Sequence, residues 1–311
     1  MEKIKYYVKQ NTPLFGLFVM MIIVTIIDPK FIQLSNISNV IRQVSINGLI
    51  ALGMTFVILT GGIDLSVGSV FALTGAVLAK MLINGVNPLL AVLLTLGLGL
   101  VLGVINGLLI AKGKLQPFIA TLGTVTLYRG ITRVFMEGRP ITGFKSKFVD
   151  NIGRGYVLGI PIPIIILIIA VLIALFITKR TVFGKEVYAV GGNEKTAHFS
   201  AINVDRVKIK VYALSGLLTT IAGIILMSRL NSAQPNAGLG YELDAIAAVV
   251  LGGASMSGGK GKIWETFVGI LIIGVLNNSL NMLRISSFYQ DVAKGVVILL
   301  AVLFDRKKYY K

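Results

Sequence analysis

Apolar stretches close to twenty residues long recur along the whole chain, and no other feature restricts its fold so strongly. A helix crossing a hydrocarbon core of about 30 Å needs roughly 20 predominantly apolar residues, and its backbone groups must be satisfied within the segment because lipid offers no partners. Such runs cover Leu14 to Ile27, Val44 to Thr60, Ser66 to Ile83, Pro88 to Ala111, Pro117 to Met136, Pro161 to Thr178 and Val211 to Leu230. Three more cover Leu243 to Ser255, Trp264 to Leu283 and Ser287 to Phe304. Only 14% of the residues are charged, against about 25% in soluble domains. The expected fold is therefore all-α: a polytopic integral membrane protein of about ten transmembrane segments, residues 1–311 forming one transmembrane domain in the lipid bilayer.

A net charge of +17 would suggest nucleic acid in a soluble chain. Here Lys and Arg fall in short clusters between apolar runs instead of along one face, so membrane topology accounts for them and no nucleic-acid partner is expected. With the N-terminus in the cytoplasm, the inside connections hold 18 of the 30 basic residues, from Lys3, Lys5 and Lys9 through Lys179, Arg180 and Lys185 to the tail after Arg306. That bias follows the positive-inside rule and puts both termini in the cytoplasm, although Arg139, Lys145, Lys147 and Arg154 lie on the outer side. The first run ends in Asp28-Pro29-Lys30 without a small-residue cleavage pattern, so it reads as an uncleaved span.

Not every run is long enough to cross. Leu243 to Ser255 is short and bracketed by Gly238, Gly240, Gly252 and Gly253, which predicts a broken or re-entrant half-helix. Further Gly breaks fall at Gly61-Gly62 and Gly258-Gly259. Broken backbone at membrane depth needs protein or water around it, and transporters bind and pass solutes at such places. The longest connection, residues 179–210, is long enough to be functional.

Polar residues inside the apolar runs are the next signal, because each costs free energy unless it meets a partner or water. Asn47, Asp64, Ser66, Asn106, Thr121, Asn277 and Asn281 are of this kind. They can line an aqueous path for a hydroxyl-rich solute, or join neighbouring helices by hydrogen bonds. Asp64, nearly alone as an ionisable group in the spans, can contact solute or cap a helix near Ser66 and Val67. Catalytic constellations are missing. With no Cys and the single His198, a disulfide framework or metal centre lacks donors, and no cofactor is expected. Gly253 to Lys262 does not fit G-x-x-x-x-G-K-[ST], so the chain is not expected to be its own ATPase.

The run Ala51 to Ser69, ALGMTFVILTGGIDLSVGS, closely resembles the signature of ribose-type ABC importer permeases. Pro117 to Thr124 (PFIATLGT), Gly138 to Ile141 (GRPI) and Val250 to Ala254 (VLGGA) resemble the same family, which adds Phe118 to the candidate pathway set. The resemblance implies a non-enzymatic permease subunit in a bacterial inner membrane, moving a ribose-like or other simple sugar by alternating access. Its implied partners are a cytoplasmic ABC ATPase subunit, an extracytoplasmic sugar-binding protein and a second permease copy or paralogue. The stretch from Tyr188 to Asn203 matches the family's coupling loop, with Ala197 to Ile202 as a helix docking on the ATPase. Gly191 and Gly192 permit a turn, Asn193 can cap the helix, and Ala197, Ser200 and Ala201 give it a small face. Ala201 stands where the family often has Gly. Rival readings are a superfamily permease for branched-chain amino acids or nucleosides, and an autonomous secondary carrier.

Overall fold

A computed structural model describes residues 12–286, 288–296 and 299. Lys3, Lys5, Lys9 and the tail after Arg306, on which part of the expected topology rests, lie outside the described residues. The first run forms α1 (Thr12–Ile27). Asp28 ends it and starts a 3₁₀ turn, Pro29–Ile32, by accepting from the Lys30 N–H at 2.9 Å, with Pro29 pre-set for the first position.

Helix α2 (Leu34–Leu59) is the axis of the bundle. Its residues from Val44 onward are buried except for the partly exposed Asn47, which is why the sequence from Gly48 to Leu59 shows no polar stripe. It begins ten residues before the apolar run, at Leu34. The added turns carry Ser35, Asn36, Arg42 and Gln43, so hydropathy stops where the helix continues.

After the break at residues 60–66, α3 (Val67–Ile83) leads to α4 (Pro88–Ala111). The bounds of α4 agree with the sequence because the signals are local: Asn87 accepts from the Leu89 and Leu90 N–H groups, and Pro88 occupies the first turn. Gly99, Gly103 and Gly107 lie on one face of α4, where a Cβ would overlap the backbone or side chains of Ile209, Tyr212, Gly216 and Thr220. Small residues four apart let helices approach this closely in a membrane. The helix they meet is α10, below.

Helix α5 (Pro117–Phe135) is followed by the amphipathic α6 (Lys147–Arg154), capped by Ser146, and by α7 (Ile162–Arg180). Four two-residue strands complete the stretch and its partner. β1 (Ile141–Thr142) pairs antiparallel with β4 (Ser232–Ala233), and β2 (Tyr156–Val157) with β3 (Ile160–Pro161). The expected long connection is largely helix: α8 (Val182–Gly192) and α9 (Glu194–Phe199) fill it, and α10 (Val204–Leu230) already begins at Val204. Asn203 accepts from the Arg206 N–H and starts α10 seven residues before its apolar run.

The half-helix is present as α11 (Tyr241–Leu251), entered through Gly240 in the left-handed region. α12 (Ile263–Met282) and the helical residues 288–296 follow, while the rest of the expected tenth segment lies outside the described residues apart from residue 299. Among the described residues, α2, α4, α7, α10 and α12 are long and apolar enough to cross a membrane, and α1 and α3 are shorter apolar helices. Leu93, Leu94 and Leu100 on α4 and Ile168, Ile169, Leu172 and Phe176 on α7 are exposed, as side chains facing acyl tails should be.

Candidate functional site

Two buried carboxylates organise the polar interior. Asp64, in the break between α2 and α3, is 1% exposed. Its Oδ1 accepts from the Ser66 hydroxyl at 2.6 Å and the Ser66 N–H at 3.1 Å, and Oδ2 accepts from the Ser215 hydroxyl at 2.9 Å. Asn106 on α4 donates to the Ser66 hydroxyl at 2.7 Å. The Ile63 carbonyl accepts from Tyr212 at 3.1 Å and Thr121 at 3.4 Å. One chain of hydrogen bonds thus ties the broken segment to α4 and α10, with Thr121 of α5 bonded beside it. Asp64 orders a turn by holding the Ser66 N–H, but Ser66 itself occupies the cap position of α3, so the expected cap lies two residues further on.

The second carboxylate, Asp244, sits in the first turn of α11 and is 3% exposed. Its Oδ1 pairs with Lys294 Nζ at 3.3 Å, while Oδ2 accepts from Asn277 at 3.1 Å and faces the Asn47 amide at 3.5 Å. Asn277 is 4% exposed, and its Oδ1 has no hydrogen-bond partner among the described residues. Asn281, one turn further along α12, is exposed and accepts from Gln290 at 3.0 Å. Asn47 and Asn277 thus meet at Asp244 with Asn281 one turn away, whereas Asp64, Ser66, Asn106 and Thr121 belong to a separate, packed network. The Phe118 carbonyl accepts from the Thr121 hydroxyl at 3.4 Å, while its side chain is exposed at the start of α5.

Asp64 is thus not the near-isolated charge that the sequence suggested, and Asp244 was missed. Its signal was available: an Asp in the first turn of an apolar half-helix, four residues after Gly240. Arg129 was missed too. Buried on α5, it donates to the carbonyls of Pro235, Ala237 and Gly68 at 2.8 to 2.9 Å, clamping the connection that enters α11 against α3.

The third element is the helical pair α8–α9. Asn193 caps α9 as expected, accepting from the Thr196 N–H at 2.9 Å. The turn comes at Asn193, however, since Gly191 and Gly192 are the last residues of α8. The expected small face is also divided. Ala197 is 3% exposed and packs in the core that contains Val187, Val190, Val204 and Val207. The helix ends at Phe199, leaving Ser200 as its C-cap and Ala201 beyond it at φ +61°. Ile202 is partly buried against the same core. What α9 presents outward is Lys195, His198 and Phe199, the last 87% exposed. They border a cleft of about 1030 Å³ with Lys112, Lys114 and Asp205. Asp205 holds Lys112 at 2.8 Å and Lys114 at 3.1 Å, and Lys208 holds Glu194 at 2.8 Å, so α4, α9 and α10 meet at this end.

Broken helices carrying polar groups inside a bundle of apolar spans are the architecture of a membrane transport protein. The family described as branched-chain amino acid transport system / permease component matches residues 36–302, and the chain belongs to it. It is 59% identical over 297 residues, 95% of this chain and 92% of the relative, to the ribose import permease protein RbsC of Bacillus subtilis (strain 168). It is 50% identical over 307 residues, 98% and 96% of the two chains, to the ribose import permease protein RbsC of Escherichia coli (strain K12). With the D-allose transport system permease protein AlsC of Escherichia coli (strain K12) it shares 42% identity over 294 residues, 93% and 90% of the two chains. No solved structure matches the chain.

Proposed function

We propose that this chain is the membrane-embedded permease subunit of a bacterial ATP-binding-cassette importer, passing a monosaccharide, ribose or a close analogue, by alternating access. The relatives support the sugar: two are ribose permeases and one is a D-allose permease, each similar over nearly the whole chain. The family description mentions branched-chain amino acids, but the sugar permeases are alike in detail.

The observation that carries the ATP-driven reading is α9, a short capped helix held against the chain's core by Ala197 while Phe199 projects beside a cleft. A nearly bare aromatic on a rigid element is what a docking anchor requires. In this reading α8–α9 is cytoplasmic and seats on a separate ATPase through Phe199, His198, Lys195 and Ser200. Gly191 and Asn193 set its position, and Ala197, Ala201 and Ile202 shape its inner side and end. Both termini are cytoplasmic, a sugar-binding protein docks at the opposite end, and a second permease copy or paralogue completes the path. Solute passes near Asn47, Asp244, Asn277 and Asn281.

Reconstituted in liposomes with its ATPase and binding protein, the chain should accumulate labelled ribose only when ATP is supplied. Accumulation driven by a proton or sodium gradient without the ATPase contradicts the proposal. Phe199→Ala should weaken ATPase co-purification at least about tenfold, which corresponds to about 1.4 kcal/mol and is modest for an aromatic anchor, while membrane levels hold.

A further inference from the structure

The glycine breaks that the sequence shows separately meet in one place. Three segments distant in sequence converge: the end of α2 with its break (Leu59 to Gly62), the last turn of α8 (Tyr188 to Gly192), and the connection from α11 to α12 (Gly252 to Lys262). The Gly259 N–H donates to the Leu59 carbonyl at 2.9 Å. The Tyr188 hydroxyl donates to the Gly261 carbonyl at 2.8 Å. Inside the connection, the Ser255 N–H donates to the Lys260 carbonyl at 2.9 Å and closes it into a compact loop.

Where Gly191 and Gly258 meet Leu59 and Gly61, backbone lies directly on backbone. A Cβ on Gly191 would overlap the Leu59 carbonyl oxygen and lie 2.6 Å from the Gly259 nitrogen. A Cβ on Gly258 would lie 2.8 Å from both the Gly191 carbonyl oxygen and the Gly61 nitrogen. Gly61, Gly258 and Gly259 also hold φ of +75°, +86° and +70°, a region other residues enter at a cost. Gly191 has no such constraint, being helical, so only the close approach requires glycine there. Gly192, its neighbour, has nothing within 4 Å of where a Cβ would sit.

Main chain packed on main chain cannot yield by changing rotamer, so displacement of one segment is transmitted to the others. The end of α2 continues through Asp64 into α3, and the compact loop joins α11, which carries Asp244, to α12, which carries Asn277. We infer that this backbone junction of Leu59, Gly191, Gly258 and Gly259 is the mechanical link through which movement of α8–α9 reaches both broken segments of the pathway at once. The inference rests on the importer reading above. It makes Gly191 and Tyr188 positioning residues, touching neither sugar nor ATP.

The test is sugar accumulated per ATP hydrolysed in liposomes holding the complete complex with ATPase and binding protein, measured beside complex assembly and ATP hydrolysis. Gly191→Ala should lower that ratio at least about tenfold, within the range that overpacking a tight contact produces, while assembly and hydrolysis persist. Gly192→Ala, one residue along on the open side, should behave as wild type. Tyr188→Phe, which removes only the hydroxyl, should lower the ratio about threefold, as loss of one hydrogen bond does. If Gly191→Ala also prevents assembly, Tyr188→Phe decides, and a wild-type ratio there overturns the inference. A wild-type ratio in Gly191→Ala, or an equal loss in Gly192→Ala, overturns it as well. Failure of the importer reading is distinct, because the wild-type complex itself would then show no ATP-dependent accumulation.

Discussion

Asp64 and Asp244 are both carboxylates buried among apolar helices, yet they are satisfied in opposite ways. Asp64 is held by neutral hydroxyl and N–H donors from α3 and α10, with Asn106 of α4 behind Ser66. Asp244 faces a cation, Lys294, and two amides, Asn47 and Asn277, one stretched to 3.5 Å and one with an oxygen left open. The difference separates two uses of polarity inside a membrane. Each network leaves one amide oxygen open among the described residues, on Asn106 and on Asn277, so the difference lies in charge: neutral donors gathered around one carboxylate join the segments they come from, whereas a charged pair between a half-helix and a neighbour is suited to a path that opens.

The largest expected effect is on the joining network. Asp64→Ala leaves the Ser66 and Ser215 hydroxyls without their acceptor, each such group costing about 1–3 kcal/mol when buried. Membrane levels and thermal stability in detergent should fall sharply, and a stable, abundant variant would show that Asp64 is not structural. Asp244→Asn keeps shape and should preserve membrane levels, because Asn277 and Asn47 can still be bonded. Ribose uptake should nevertheless drop about tenfold, the scale of one lost charge-assisted contact. Adding Lys294→Met to Asp244→Asn should recover whatever stability the single change loses, since it removes a cation left with only the longer Asp291 contact at 4.0 Å, without recovering uptake. Recovery of uptake in the double variant would make the pair a packing device like the Asp64 network.

The sequence made this division only partly legible. The bounds of α4 could be read because Asn87 and Pro88 mark its start, and α11 because glycines bracket it. The starts of α2 and α10 could not, since Leu34 to Gln43 and Val204 to Lys210 are helical but polar, and only tertiary contacts and a cap at Asn203 reveal them. Among the candidate pathway residues, chemistry grouped Asn47, Asn277 and Asn281 together with Asn106 and Thr121, although the first two meet at Asp244 and the last two pack beside Asp64. A polar residue in an apolar run announces a partner without saying whether that partner is a helix or a solute. Ala197 fell on the wrong side of its expected interface because α9 has fewer than two turns and small residues on both sides. Phe199, at the end of the same helix, is the apolar residue left exposed.

The separation of the two networks can be measured directly, since the native chain has no Cys. Single cysteines at Asn277 and Asn106, in complexes transporting ribose, would be titrated with a small membrane-impermeant thiol reagent. The account predicts that the Asn277 cysteine reacts during ATP-driven transport and is protected by excess ribose, while the Asn106 cysteine stays inert throughout. Labelling at Asn106 that ribose suppresses, with an inert Asn277, would contradict it and move the sugar path to the Asp64 side.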